Sequence, residues 1–301
     1  MSSLITKQEL ISDLLNIGVK KGDLLHLKVS LRSIGKIENG ANTLLDALLD
    51  VVGPEGTLVI DSFVTIYPLP LSKEHRRIVS RYDTPSYAGV LANIMIKHPN
   101  MYRSNHPIHR FTAIGKKAKE LMFKHTPESH PYQPLVDMIN LQGKNLTIGD
   151  KVAGVGTTHI AILAMGFNQK IPNYGVNYQN SGECVKLFKC NWVRGFCADG
   201  YWNLVKLYEE RGGVIQKGKI GNASSMLTDM KKTYEIELSA MKDNPRIFLC
   251  DKPYCWQCRV SWSISEKKYL KAIYYRTLYA LRNRSIIEII HSRIKKSNIN
   301  T

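Results

Sequence analysis

Leu24-Leu25-His26-Leu27-Lys28-Val29-Ser30 and Gly56-Thr57-Leu58-Val59-Ile60-Asp61-Ser62-Phe63 are the two stretches that decide the fold. Each is a short, largely apolar run bounded by polar residues or glycine, the pattern of a strand in the interior of a sheet. Between them Leu44, Leu45, Leu48, Leu49 and Val52 recur at helical spacing, and Gly53-Pro54 closes that helix. Strand, helix and strand at this spacing form a βαβ unit, because parallel neighbours need a crossover. The expectation is an α/β fold: a single large domain with a central mixed sheet flanked by helices, plus a helical C-terminal extension.

Upstream, Thr6-Lys7-Gln8-Glu9 has the form of a capping box, and Leu10, Ile11, Leu14 and Leu15 continue it as a first helix ending near Gly18. Downstream, residues 64–85 lack periodicity and carry several prolines, which predicts a long loop that covers something. Helical patterns follow at 87–97, 116–124 and 134–141, and a short strand at 144–150. A helix begins near Thr157 and runs through Ile160, Ile162, Leu163 and Met165. Residues 167–222 have weak periodicity and suit short antiparallel strands and loops. Ser224 or Ser225 is placed to cap a long helix that Asp243-Asn244-Pro245 ends.

Composition sets the outer limits. A chain of 301 residues with 44% hydrophobic and 22% charged residues is neither disordered, collagen-like nor a disulfide miniprotein. The formal charge of +17 suits nucleic acid, anionic lipid or a phosphorylated small molecule, without choosing among them. Residues 251–301 hold 11 Lys and Arg against 3 Asp and Glu, about half of that excess. Six cysteines and no charged-then-apolar leader suit a reducing cytoplasm. No run approaches the roughly 20 apolar residues of a membrane span.

Four local patterns carry chemistry. Gly154-Val155-Gly156-Thr157-Thr158-His159 opens a helix after a strand, a place where free backbone N–H groups suit a phosphate or a developing oxyanion. That position disfavours a charged imidazole, so His159 is a candidate general base, although a structural histidine beside a glycine turn fits the same letters. Arg103-Ser104-Asn105-His106-Pro107 offers a guanidinium for a forked phosphate contact or an ordinary solvated turn. Cys250, Cys255 and Cys258 form C-x4-C-x2-C, and Cys184, Cys190 and Cys197 add three more upstream, but a zinc site needs four ligands and only the Cys255/Cys258 pair has the usual short spacing. The expectation is therefore reduced thiols packed as small apolar groups, with no metal. Residues 265–296 form a basic amphipathic helix that suits an anionic membrane surface, the body of the protein or a second subunit equally well.

In order along the chain, Gly18-Val19 with Gly22-Asp23, Ser30-Leu31 with Gly35, Gly56-Thr57-Leu58, Arg103-Ser104-Asn105-His106-Pro107 leading to Ala113-Ile114-Gly115, Thr157-Thr158-His159 and Ile220-Gly221-Asn222-Ala223 resemble the aminoglycoside 3-N-acetyltransferase family, also called antibiotic acetyltransferases. The resemblance covers roughly residues 6–249. It implies an acyltransferase domain at 1–249, followed at 250–301 by a cysteine-containing segment and the basic helix. It also implies direct transfer of an acyl group from acetyl-CoA or another acyl-CoA to an amine on a sugar, with His159 as catalytic base. Asp150, at the strand end, is the candidate to orient that ring. Ser30, Leu31, Arg103, Ser104 and Thr157 fall where the family grips pantetheine and phosphates.

Departures from the family pattern bear on the acceptor. Lys28 stands where the family has His, Val29 at its second Ser/Ala position, Ile162 where it has Glu, and Arg110 where it has Ser. A missing carboxylate and a charge of +17 both oppose an aminoglycoside cation. The expected acceptor is an amino sugar on a nucleotide diphosphate, as in surface polysaccharide biosynthesis. Aminoglycoside resistance is the alternative, and a non-catalytic module binding an anionic surface or nucleic acid a further one. The expected partners are the acyl-CoA and the amino sugar, not nucleic acid. Peripheral membrane contact and a homodimer stay open.

Overall fold

Thr6 starts the first helix, α1 (Lys7–Asn16), by reciprocal capping: its Oγ1 accepts from Glu9 N–H at 3.2 Å while Glu9 Oε2 accepts from Thr6 N–H at 2.8 Å. The helix buries Leu10 and Leu14 against α3 (Ala41–Val52), whose Leu44, Leu45 and Leu48 face the sheet. Fully burying a leucine is worth about 1.5–3 kcal/mol, so this stripe outweighs any single cap. A computed structural model describes residues 4–149, 155–167, 174–190 and 197–282.

The expected βαβ unit is present. Strands β1 (Leu24–Val29) and β2 (Thr57–Asp61) pair in parallel, with Leu25 beside Leu58 and Leu27 beside Ile60, and α3 crosses between them. On the other edge of β1 runs β7 (Lys144–Ile148), also parallel. Antiparallel partners complete a mixed seven-stranded sheet. These are β5 (Met101–Arg103) and β6 (Phe111–Gly115) beyond β2, and β10 (Val214–Ile220) and β11 (Ala223–Asp229) beyond β7.

Alternation along the three parallel strands sorts the two faces. Leu25, Leu27, Leu58, Ile60, Leu146 and Ile148 point into the core shared with α1, α3 and α4 (Val90–Ile96). The opposite face carries Leu24, Val59, Phe111 and Ala113 under α5 (Ala118–Phe123), α6 (Gln133–Asn140) and α7 (Thr158–Ala164). On that second face the same alternation also buries His26, Asp61, Asn145 and Thr147. A buried polar row in the middle of a sheet needs partners, and it becomes the floor of the site.

The expected long loop at 64–85 holds two short strands, β3 (Tyr67–Pro68) and β4 (Val79–Ser80), and a single 3-10 turn, His75–Arg77, between them. Both strands pair with β8 (Tyr174–Tyr178), which also pairs with β9 (Lys186–Lys189). Two sequence expectations need correction. The region 167–222 also contains a full helix, α8 (Ala198–Glu210), which buries Tyr201, Leu204, Val205 and Tyr208. Ser224 and Ser225 do not cap a helix: they lie in β11, and α9 (Met230–Asp243) starts later, where the Asp229 side chain accepts from Lys232 N–H at 2.9 Å. Pairing of 223–229 with β10 on one side and β7 on the other wins there over the helical spacing of the same apolar residues.

After α9 the chain packs Phe248, Leu249, Cys250, Cys258 and Trp262 against α8 and α9. It continues through a wide helical turn, Trp256–Ser261, and α10 (Trp262–Ser265) to α11 (Tyr269–Arg282). The remainder of the expected basic helix, residues 283–296, lies outside the described residues. Within α11 Leu270 is 85% exposed and Ala272 is the buried residue. No helix among the described residues is long and apolar enough to cross a membrane.

Candidate active site

Asp61, at the carboxyl end of β2, is buried and held by His26 and Lys28 of the neighbouring strand. His26 Nε2 lies 3.1 Å from its Oδ1, and Lys28 Nζ donates to its Oδ2. Behind it, His26 Nδ1 is 2.7 Å from Asn145 Oδ1, while Asn145 Nδ2 donates to Thr147 Oγ1 at 2.9 Å. Burial works against the charge of Asp61, but Lys28 and His26 outweigh it and hold the carboxyl well below the ordinary carboxylate range.

A cavity of about 710 Å³ opens at this edge, lined on one side by Lys28, Ser30, Leu31 and Arg32 and on the other by Asp61, Phe63 and the start of α4. Ligands of open α/β sheets bind at the carboxyl ends of the strands, and here β1 and β2 both end in the cavity wall.

His159 sits in the first turn of α7, as the sequence predicts. Its ring lies parallel to that of Tyr132, 5.1 Å between centroids and 2° between planes. His109 leans on Tyr132 at 5.1 Å and meets the edge of Phe63 at 5.3 Å, so an aromatic wall runs from His159 to the cavity. The imidazole is pushed down to about 4, first by burial and then by the Lys28 ammonium, with Asp61 acting in the opposite direction. The ring is thus neutral at physiological pH, as expected, although the causes are burial and a lysine rather than a helix terminus. His159 does not itself line the cavity; it communicates with it through Lys28 and Asp61, which do.

Gly156 makes this seating possible. Its φ of +82° belongs to the left-handed region, and a Cβ there would fall 2.7 Å from His26 Nδ1. The turn before α7 therefore closes directly onto the polar row of β1.

The other sequence-predicted residues divide. Ser30 and Leu31 line the cavity. Arg103 and Ser104 do not: they are buried beneath the 64–85 loop. Four of the five guanidinium N–H donors of Arg103 are committed, to the carbonyls of Ser62, Tyr82 and Thr84 and to Ser62 Oγ, so it braces that loop rather than facing a phosphate. Ser104 Oγ accepts from Phe111 N–H at 3.0 Å. Thr157 is buried, with its Oγ1 3.4 Å from Thr233 Oγ1. Beside it Thr158 Oγ1 donates to Glu237 Oε1 at 2.5 Å, and the Tyr208 hydroxyl donates to the same oxygen. Burial raises Glu237 to about 7. Asp150 and Gly154 lie outside the described residues; among the described residues Asp61 is the carboxylate whose charge acts on His159.

The cysteines depart from expectation. Cys184 is exposed and Cys190 is buried in a small apolar cluster. Cys197, Cys250, Cys255 and Cys258 instead bring their four Sγ atoms within 4.8 Å of one another. The fourth thiol comes from the start of α8, far upstream of the C-x4-C-x2-C run, which is why local spacing does not reveal it.

Comparison with known proteins agrees with this geometry. Residues 25–242 match the family Aminoglycoside 3-N-acetyltransferase. Aminoglycoside N(3)-acetyltransferase IV of Salmonella sp is 27% identical over 245 residues, 81% of this chain and 90% of that protein. The SPbeta prophage-derived aminoglycoside N(3')-acetyltransferase-like protein YokD of Bacillus subtilis (strain 168) is 32% identical over 248 residues, 76% of this chain and 90% of that one. Among solved structures, the aminoglycoside acetyltransferase AAC(3)-IVa apoenzyme superposes with a TM-score of 0.71 at 24% identity, covering 88% of this chain and 99% of its own. The same fold has been solved as AAC-IIIb with CoASH, at a TM-score of 0.64, 20% identity and coverage of 80% and 97%. The chain belongs to the aminoglycoside 3-N-acetyltransferase family and is an N-acyltransferase that uses acetyl-CoA as co-substrate.

Proposed function

We propose that this enzyme acetylates an amine of an aminoglycoside, with His159 as general base and the acyl-CoA held in the cavity at the ends of β1 and β2. The observation that carries this reading is the neutral imidazole of His159, seated on Tyr132 beside the Lys28–Asp61 pair that lines the cavity.

The thioester supplies an activated acyl carbon. Ser30 and Leu31 line this cavity and are our candidates to flank the pantetheine arm, and Arg32 adds positive charge for phosphates. An amine nitrogen gains acidity as it attacks a carbonyl carbon, so even a weakly basic imidazole takes its proton while the C–N bond forms and the C–S bond breaks. The proton rests on His159 and the electron pair leaves with the coenzyme sulfur. Tyr132 fixes the plane of the ring, and Asp61 offsets the Lys28 charge that opposes its protonation.

The nucleotide-linked acceptor expected from the charge balance finds no support among the relatives, whereas the aminoglycoside alternative does. Salmonella and Pseudomonas aeruginosa relatives are named aminoglycoside N(3)-acetyltransferases, and a mutant of AAC(3)-IVa has been solved in complex with a gentamicin. The physical reason is placement: about half of the excess charge lies in residues 251–301, beyond the matched region, and does not report on the acceptor site. The test is thiol release from acetyl-CoA with gentamicin or sisomicin, set beside a nucleotide-linked amino sugar. Turnover with the nucleotide sugar alone would overturn the aminoglycoside reading.

A further inference from the structure

Three loosely connected pieces of chain meet at four sulfurs. Cys197 is the N-cap residue of α8, Cys250 ends the segment after α9, and Cys255 and Cys258 bracket the start of the turn that leads to α10. No pair is a disulfide, and the Sγ atoms of Cys197 and Cys258 are 3.5 Å apart. Zinc–sulfur bonds of about 2.3 Å put the sulfurs of a regular tetrahedron about 3.8 Å apart. Four sulfurs all within 4.8 Å of one another, one pair at 3.5 Å, are therefore close to the spacing of one mononuclear site.

Backbone N–H groups are also aimed at the sulfurs. Cys258 N–H points at Cys255 Sγ at 3.4 Å, and Cys197 N–H at Cys258 Sγ at 3.5 Å. The N–H groups of Gly200 and Lys252 meet the sulfurs of Cys197 and Cys250. Cys255-x-x-Cys258 and Cys197-x-x-Gly200 thus repeat one turn, in which the N–H three residues on meets the first sulfur. Such N–H···S contacts hold metal ligands in place and spread their negative charge. Gly200 has a second reason to be glycine: a Cβ there would lie 2.4 Å from Phe248 O and 3.0 Å from Cys250 N, forcing Cys250 away from Cys197. Arg259 adds a cation, donating to the carbonyl of Cys250 at 2.5 Å.

We propose that Cys197, Cys250, Cys255 and Cys258 bind one Zn²⁺ as a structural tetrathiolate centre that fastens the C-terminal segment to the start of α8. Four thiols lose four protons to the solvent as one Zn²⁺ binds, leaving a site of net charge −2 and no redox change. With all four positions filled by sulfur, no place remains for water or substrate, so the ion has a structural role. None of the four cysteines lines the cavity beside Asp61. Three of them lie beyond the matched residues 25–242, so the centre belongs to the extension and does not rest on the acyl-transfer reading.

The test uses the whole, untagged chain purified without chelators. Metal analysis by mass spectrometry is expected to show one zinc per chain, retained through dialysis and released when a mercurial reagent titrates the thiols. C255S/C258S should carry only traces of zinc, whereas C184S, altered at the exposed thiol outside the cluster, should keep the full amount. Because the double variant risks misfolding, a second measurement uses wild-type protein grown with cobalt. A thiolate-to-cobalt charge-transfer band with intense visible bands of tetrahedral coordination is expected. Metal-free wild-type protein whose melting temperature zinc does not raise, stoichiometric iron in place of zinc, or a Cys197–Cys258 disulfide in peptide maps would each overturn the proposal.

Discussion

The imidazole of His159 and the phenol ring of Tyr132 are stacked within 2° of parallel, so a residue of α7 takes its orientation from the start of α6. Replacing His159 with Asn is expected to lower kcat by about 10²–10⁴-fold, the usual share of a general base. Acyl-CoA affinity should be nearly unchanged, because the ring does not line the cavity. Tyr132→Phe should retain most activity, and Tyr132→Leu should lose up to about 100-fold through misplacement of the base. Steady-state kinetics with separate coenzyme titrations distinguish these outcomes.

Lys28 tunes the base. Its ammonium depresses His159, and removing it in Lys28→Met is expected to raise the imidazole from about 4 toward its ordinary value. The acid limb of the kcat/KM profile should then move to higher pH. Imidazole NMR titration of wild type and variant checks the shift directly, and an unmoved His159 resonance would refute the coupling.

Two buried sets of groups should set opposing slopes of stability against pH on the acid side of neutrality. His106 and His125 stack at 4.8 Å, and these rings and His109 are driven well below the ordinary histidine value, first by burial and then by one another. The unfolded chain takes up their protons near pH 6.5 and the folded chain does not, so stability is complete above that value and is lost as pH falls. The slope is about 1.4 kcal/mol per pH unit for each ring. Glu237 runs the other way. Burial raises it to about 7, so its contribution is present at low pH and is lost as pH rises through that value. Its window lies between the ordinary 4.5 and about 7 and overlaps that of the histidines with opposite sign, so Glu237→Gln should make melting temperature rise more steeply with pH across that window and leave it unchanged in slope above pH 7.

Gly156→Ala tests the seat of the catalytic helix. A left-handed φ and a Cβ 2.7 Å from His26 act together, and the cost of holding such a backbone is about 1–3 kcal/mol. Activity should fall further than the melting temperature, because relief of the clash displaces the turn that carries His159. Parallel urea denaturation and turnover assays separate the two losses.

Much of this architecture is legible in the letters. The leucine spacing of α3 between two apolar runs identifies the βαβ unit, Thr6 and Glu9 announce α1, and the glycine turn before Thr157-Thr158-His159 marks the start of α7. The polar partners are harder to read. Asp61 looks like the last residue of a buried strand, and its meaning appears only when register sets it beside His26 and Lys28. One signal was available, since His26 and Lys28 occupy alternate positions of an otherwise apolar strand and so share a face. Arg103 misleads because a guanidinium that could fork onto phosphate serves equally well on backbone carbonyls. Cys197 is invisible beside the C-terminal cysteines because only the tertiary fold brings α8 to them.

Lys28 and Asp61 come from adjacent parallel strands, yet each makes sense only with the other. A hybrid gene that joined β1 of this protein to β2 of a relative lacking the matching carboxylate would strand an ammonium in the cavity wall and lower the basicity of His159. Recombination among such enzymes is therefore constrained to exchange β1 through β2 as one inherited block.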